Sequence, residues 1–158
     1  MHGNEAEFLA SIAGFLGGYY LILALMNGIA SLYVWRRHER VVLALILLSV
    51  AGIFVIMSPL ALSGNPAMMR LISIPAWIQM IVNNTLGGPV LYSVGTTFSL
   101  VFMFLFRKFF VQPIVAWTML NVALLLMGLS MTNPEFSAIV TKPDNVPIVG
   151  LVFLLGYF

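Results

Sequence analysis

The chain has 158 residues, of which 61% are apolar and only 8% are charged, with a net charge of +2 and a mean hydropathy of +1.06. Soluble domains carry about 45–50% apolar and about 25% charged residues, so this composition excludes a soluble globular protein, a disordered chain and a nucleic-acid binder. It predicts one integral membrane domain over residues 1–158. The absence of cysteine excludes disulfides and thiolate metal sites.

The first two predicted spans lie on either side of the densest charged cluster in the chain. A helix needs about 20 predominantly apolar residues to cross the hydrocarbon core. Residues 8–35 and residues 41–62 are uncharged runs of at least this length, separated by the sequence Arg-Arg-His-Glu-Arg at 36–40. The first run follows two glutamates and is too long for a signal peptide, so we expect it to be retained as a span.

Residues 66–82 form an apolar segment that is interrupted by Arg70, Pro75 and Gln79. We expect one or two short helices in the membrane interface, the second beginning near Pro75 with Trp77 at headgroup depth. A re-entrant segment buried by protein is the alternative.

Three further apolar runs complete the prediction. Residues 90–106 and 113–131 are the third and fourth spans, and their short connection predicts antiparallel neighbours. Residues 132–145 are expected to form a polar loop. Residues 146–158 are apolar but would rise only about 20 Å as a helix, short of the roughly 30 Å core. Either this fifth helix enters without crossing or the native chain continues beyond it, and we favour the second.

The predicted fold is therefore an all-α polytopic transmembrane bundle with four complete spans, a fifth helix and a short interfacial segment. Its orientation follows from the basic residues in the loops. With the N-terminus outside, two basic residues lie outside and five lie on the cytoplasmic side, namely Arg36, Arg37, Arg40, Arg107 and Lys108. We expect a multi-pass protein of the cell's inner, cytoplasmic membrane with its N-terminus outside.

No Asp, Glu or His lies within a predicted span. Proton relays and ion-coupled transporters usually need intramembrane ionisable groups, and a b-type haem needs an axial ligand, most often His. His2 lies in the N-terminal tail and His38 in the basic loop. The chain alone is therefore expected to hold no haem within the membrane. We predict no metal site and no catalytic residues, and hence no enzyme activity for the isolated chain.

Small residues recur at four-residue spacing in the first span, a pattern that allows another helix backbone to approach closely. The predicted helix-packing residues are Ala10, Gly14, Gly18, Ala24 and Gly28. They could contact the chain's own helices or dock onto another subunit, and the sequence favours neither strongly.

Two amides, Asn27 and Asn121, lie well within the first and fourth spans. An amide in hydrocarbon needs a partner, so we expect interhelical hydrogen bonds from both. A ligand-binding role is the less favoured alternative. Intramembrane hydroxyls occur at Thr96, Thr97, Ser99 and Thr118.

The interfacial segment offers a candidate cofactor contact. Arg70, Trp77 and Gln79 are expected to anchor the segment among lipid headgroups. The alternative is one wall of a quinone pocket, in which Arg70 or Gln79 would hydrogen-bond a quinone carbonyl.

Residues 141–148, Thr-Lys-Pro-Asp-Asn-Val-Pro-Ile, lead into the last helix. This segment resembles segments in membrane subunits of bacterial respiratory complexes, such as quinol–cytochrome c reductase and related electron-transfer assemblies. The chain departs from the cytochrome b pattern because its spans lack haem-ligating histidines. The resemblance therefore implies an accessory subunit rather than the haem carrier, and it assigns no catalytic residues.

The leading hypothesis is a non-catalytic membrane subunit of a respiratory or photosynthetic electron-transfer complex. Its partners would be lipids and other membrane subunits of cytochrome type, and any quinone or haem would be shared with such a partner. The alternative is a small homo-oligomeric channel or transporter with a pore lined by Asn27, Asn121 and threonines. A lipid-modifying enzyme is least favoured, because no nucleophile–base pair is evident.

Overall fold

The computed structural model describes residues 2–85 and 88–157, and this part of the chain is all-helical without strands. Met1, Leu86, Gly87 and Phe158 lie outside the described residues, including the last position of the predicted fifth helix. The described helices are α1 (His2–His38), α2 (Val41–Leu62), α3 (Pro66–Arg70), α4 (Ala76–Thr85), α5 (Pro89–Leu105), α6 (Arg107–Phe110), α7 (Pro113–Ser130), α8 (Pro134–Val140) and α9 (Val146–Tyr157).

Within the described residues, three stretches of helix are long and apolar enough to cross a membrane, namely Glu5–His38, Val41–Leu62 and Pro113–Ser130. These helices identify the chain as a membrane protein. Helix α5 has 17 residues and α9 has 12, which correspond to rises of about 26 Å and about 18 Å. Both fall short of the roughly 30 Å hydrocarbon core, so the four-span count remains a prediction.

The chain divides into two units. Unit 1 contains Met1–Ser73 and Gly128–Ala138, and therefore holds α1, α2, α3, the last turn of α7 and the greater part of α8. Unit 2 contains Ile74–Met127 and Ile139–Phe158, and holds α4, α5, α6, α9, the greater part of α7 and the end of α8.

Helices α1 and α2 form an antiparallel pair in unit 1. Near the turn between them, the Ser31 hydroxyl donates a 2.6 Å hydrogen bond to the carbonyl of Ala44. Near the other end, the Ser58 hydroxyl donates a 2.8 Å bond to the carbonyl of Gly17. The residue numbers of the bonded positions therefore fall along α2 as they rise along α1, which shows that the two helices run in opposite directions. Interhelical bonds of this kind are favourable in lipid, where water offers no competing partner.

The buried seam of this pair follows helical spacing on both helices. Its residues recur at intervals of three and four, which places them on one face of each helix. On α1 they include Leu9, Ala13, Leu16, Tyr20, Leu23, Asn27 and Ser31, and on α2 Ala44, Leu47, Ala51, Phe54, Ser58 and Ala61. The opposite faces carry large exposed apolar side chains such as Ile22, Ile29 and Ile46, as expected of surfaces that contact lipid.

The segment predicted at 66–82 contains two short helices, α3 and α4. Asn65 caps α3 by accepting a 2.9 Å hydrogen bond from the backbone N–H of Ala67, and Pro66 occupies the first helical turn. Helix α4 begins directly after Pro75 and extends to Thr85, three residues beyond the predicted end. Its placement in the membrane interface remains a prediction.

The prediction that residues 132–145 form a polar loop is wrong in part, because this segment contains α8. The side-chain oxygen of Asn133 accepts hydrogen bonds from the backbone N–H groups of Glu135 (2.9 Å) and Phe136 (3.1 Å). Pro134 follows as the first helical residue. A capping asparagine before a proline is a helix-start signal, and here it outweighs the polar composition of the segment.

We expect the substitution Glu39→Gly to stabilise unit 1. Glu39 links α1 to α2 with a φ of 54°, a left-handed conformation that costs a non-glycine residue about 1–2 kcal/mol. Glycine should recover about 1 kcal/mol of this, measured as a higher midpoint of thermal unfolding in detergent. The matched comparison is Gly64→Ala at a φ of 60°, which should lose a similar amount. A lower midpoint for Glu39→Gly would contradict this account.

Candidate functional site

A cluster of aromatic residues lies at the centre of unit 1. The Tyr20 side chain is fully buried, and its ring stacks on Phe54 of α2 with 6.2 Å between centroids. The neighbouring Tyr19 meets Tyr20 edge-on at 5.6 Å. Gly128, in the last turn of α7, packs against both tyrosines. We call these four residues the tyrosine cluster.

Gly128 is required sterically in the tyrosine cluster. A Cβ atom at this position would lie 2.9 Å from the Tyr20 hydroxyl oxygen and 2.9 Å from a ring carbon of Tyr19. Real Cβ atoms essentially never approach other atoms so closely. The tyrosines can therefore pack against the end of α7 only because residue 128 has no side chain.

The Tyr20 hydroxyl is buried and has no hydrogen-bond partner within the described part of the chain. Burying a hydroxyl without a partner costs about 1–3 kcal/mol. The tyrosine cluster thus contains a polar atom that opposes the stability of the fold, in a region where phenylalanine would pack equally well.

The two predicted intramembrane amides lie in different units. Asn27 is fully buried in unit 1, and its side-chain N–H donates a 2.9 Å hydrogen bond to the carbonyl of Leu23 within α1. Asn121 is part-buried in unit 2 and donates a 2.9 Å bond to the carbonyl of Trp117 within α7. These bonds are intrahelical, so the predicted interhelical bonds of the two amides remain a prediction.

Sequence reasoning missed the serines that do connect α1 and α2. Ser31 and Ser58 are both buried and each bonds a backbone carbonyl of the facing helix. The sequence did mark these two serines, because each is a hydroxyl residue inside a long apolar run. The sequence alone could not show which backbone carbonyl on the facing helix each serine bonds.

The predicted helix-packing residues do not share one surface. Ala24 is buried in the α1–α2 seam, whereas Ala10 is exposed. Gly14 and Gly18 are exposed, and Gly28 is half-buried. Apart from the adjoining residues and backbone of α1 itself, no described atom lies within 4 Å of the positions that Cβ atoms would take at these three glycines. Gly14 and Gly18 are therefore uncovered, and we call these two residues the open glycine face of α1.

The glycine that packs α1 against α2 is Gly17, which the sequence analysis did not select. Its carbonyl accepts the bond from Ser58, and a Cβ atom here would overlap the side chain of Leu62. The four-residue spacing instead selected Gly18, the next residue of α1, which lies about 100° from Gly17 around the helix axis.

The candidate quinone residues are likewise divided between the two units. Arg70 ends α3 in unit 1, where its guanidinium lies 3.4 Å from the Glu5 carboxylate. Both groups are substantially exposed, so this ion pair contributes little to stability. Trp77 and Gln79 lie in α4 of unit 2. Trp77 is exposed, and the Gln79 amide donates a 2.8 Å hydrogen bond to the carbonyl of Ile74.

Unit 2 presents a run of phenylalanine rings that the sequence analysis did not select. Phe98 stacks on Phe102 at 6.2 Å, and Phe102 meets Phe106 at 4.6 Å. The Arg107 guanidinium lies 5.1 Å from the ring centroid of Phe104, within range of a cation–π contact. These rings are exposed and give α5 an aromatic surface.

Among the described residues, no group of three or more His, Asp or Glu side chains could hold a metal ion. Comparison with protein-family models, with curated proteins and with solved structures finds no significant match for this chain.

Proposed function

We propose that this chain is a non-catalytic integral membrane subunit that packs against a cofactor-bearing subunit of an electron-transfer complex. The observation that carries the proposal is the open glycine face of α1. Gly14 and Gly18 leave the helix backbone uncovered on one side, while the α1–α2 seam occupies another. Lipid tails gain little from such a surface, whereas a partner helix can approach it closely.

The class of complex is supported by the resemblance of residues 141–148 to segments of respiratory membrane subunits. The lack of Asp, Glu and His in 8–35, 41–62, 90–106 and 113–131 agrees with an accessory role, because any quinone or haem would then depend on the partner subunit for ligands. The proposed location is the inner membrane with the N-terminus outside, which places Arg36, Arg37 and Arg40 on the cytoplasmic side.

We expect the double substitution Gly14→Leu/Gly18→Leu to abolish co-purification of partner subunits from gently extracted membranes. The two leucines would fill the space that the partner backbone needs. The readout is mass spectrometry of the co-migrating chains together with the visible absorption of any haem. The matched control is Gly52→Leu on α2, another helical glycine with no described atom within 4 Å of its Cβ position.

Two outcomes would contradict the proposal. Partner chains could remain bound to the double variant, in which case the open glycine face is not the docking surface. Alternatively, the unmodified protein could purify as a homo-oligomer without cytochromes, which would favour the channel or transporter. The burial of Asn27 opposes that second function, because a fully buried amide faces the interior of unit 1 rather than an outer surface where subunits would enclose a pore.

A further inference from the structure

The turn between α1 and α2 concentrates positive charge on an exposed surface. Helix α1 ends at His38 and α2 begins at Val41. Arg36, Arg37 and Arg40 are all exposed. None of their three guanidinium groups has a hydrogen bond or an ion pair with the described part of the chain. We call residues 36–40 the basic turn.

The basic turn is held in place by the helices that flank it. The Ser31–Ala44 hydrogen bond joins α1 and α2 one to two turns away from it. Within the turn, the backbone N–H of Glu39 donates to the carbonyl of Trp35 at 3.2 Å, and that of Ala44 donates to the carbonyl of Arg40 at 3.0 Å. The three arginines therefore extend from a fixed backbone, so little backbone entropy is lost when they bind a ligand.

Exposed amphipathic and apolar side chains flank the basic turn on α1 and α2. Tyr33 and Trp35 are 59% and 56% exposed, and Val42 is 73% exposed. Tyrosine and tryptophan favour the headgroup level of a bilayer. The rings of His38 and Tyr33 meet edge-on, with 5.6 Å between their centroids. The arginines thus lie beside residues that are suited to headgroup depth.

We propose that the basic turn binds the phosphate groups of anionic phospholipids. A guanidinium group can donate two parallel hydrogen bonds to one phosphate. The three arginines of the basic turn carry three positive charges against the single negative charge of Glu39, so the turn attracts anions. A lipid fits better than free phosphate because its acyl chains would lie along Trp35 and Val42. This inference goes beyond the proposed function and does not depend on it.

The test uses the full chain in nanodiscs of phosphatidylcholine that contain a minor fraction of phosphatidylglycerol. Native mass spectrometry counts the phosphatidylglycerol molecules retained after release from the disc. One arginine near an anionic surface corresponds to about fivefold in affinity. Arg40→Gln should therefore weaken retention about fivefold, and Arg36→Gln/Arg37→Gln/Arg40→Gln on the order of 100-fold. Inorganic phosphate in excess should displace none of the retained lipid.

Two variants serve as controls for this test. Arg70→Gln removes a basic residue that is already paired with Glu5, so it should leave retention unchanged. Replacing all three arginines by lysine keeps the charge and should restore part of the retention that the glutamine variant loses. Circular dichroism must show the same helix content in every variant, and this readout separates lipid loss from misfolding.

The proposal is overturned if the folded triple glutamine variant retains as much phosphatidylglycerol as the unmodified chain. It is also overturned if Arg70→Gln lowers phosphatidylglycerol retention as much as Arg40→Gln does, because retention would then follow net charge alone. Displacement of the retained lipid by inorganic phosphate would assign the site to a soluble anion instead.

Discussion

Replacing Tyr20 by alanine is expected to destabilise unit 1 by about 3–5 kcal/mol. Tyr20 is among the largest fully buried side chains, and its ring stacks on Phe54 between α1 and α2. Its removal would leave a cavity within the α1–α2 seam, where Tyr20 is fully buried. The free energy of unfolding, measured by denaturant titration in mixed micelles, is the appropriate readout.

The matched control for this substitution is Phe15→Ala. Phe15 is an aromatic residue of the same helix but is 56% exposed, so its loss creates no enclosed cavity. We expect a change of less than about 1 kcal/mol, as is usual for exposed positions. Equal losses for Tyr20→Ala and Phe15→Ala would show that Tyr20 is not packed as the structure describes.

Tyr20→Phe separates the ring of Tyr20 from its hydroxyl. The hydroxyl has no partner within the described part of the chain, so its deletion should leave stability unchanged or raise it by about 1 kcal/mol. A loss would mean that the hydroxyl is bonded to a group outside the described residues. The direction of change therefore distinguishes a purely packed tyrosine from a hydrogen-bonded one.

Gly128→Ala is expected to destabilise unit 1 by about 1–3 kcal/mol, the usual range for overpacking. The added methyl group would meet Tyr20 and Tyr19 at about the distances given above, so the tyrosine rings or α7 must shift to admit it. The control is Gly95→Ala in α5, where no described atom lies within 4 Å. There, alanine should be neutral or stabilising because of its higher helix propensity.

The Gly128 prediction can be checked further with a double-mutant cycle. Adding Tyr20→Phe removes one of the close atoms, the hydroxyl oxygen, but leaves the ring carbons of both tyrosines. The double variant should therefore recover part of the loss caused by Gly128→Ala, with a coupling energy of about 0.5 kcal/mol or more. Strict additivity would contradict direct contact between the two residues.

The helix positions were largely predictable from the sequence, because charged and proline residues mark the ends of apolar runs. The uncharged run at 41–62 coincides with α2, and α9 begins at the predicted residue. Helix α1 begins earlier than the predicted span because polar residues of the N-terminal tail continue the helix outside the apolar stretch. Helix α8 was missed although Asn133 and Pro134 gave a local start signal.

The packing face of each helix was not predictable, for a physical reason. In a soluble helix the polar residues mark the outer face, but α1 and α2 are apolar on most sides, as is usual for helices whose outer faces meet lipid or other helices. Hydrophobic periodicity therefore could not distinguish Gly17 from Gly14 and Gly18. Only the Ser58 bond and the Leu62 contact identify Gly17 as the packing glycine.

The tyrosine cluster depends on contacts between residues that are far apart in sequence. No local pattern connects Tyr20 with Phe54 or Gly128, so the sequence analysis selected none of the three. The basic turn, by contrast, was evident from five consecutive residues. Its exposure and its fixed backbone became apparent only in the structure.

We expect α1 and α2 to cross the membrane as an antiparallel pair, and the absence of cysteine allows a direct test. Single cysteines introduced as Glu7→Cys, His38→Cys and Ser63→Cys would each be the only thiol. With a membrane-impermeant maleimide on intact cells, we predict labelling at positions 7 and 63, and labelling at position 38 only after the membrane is opened. Labelling of all three from one side would contradict the account.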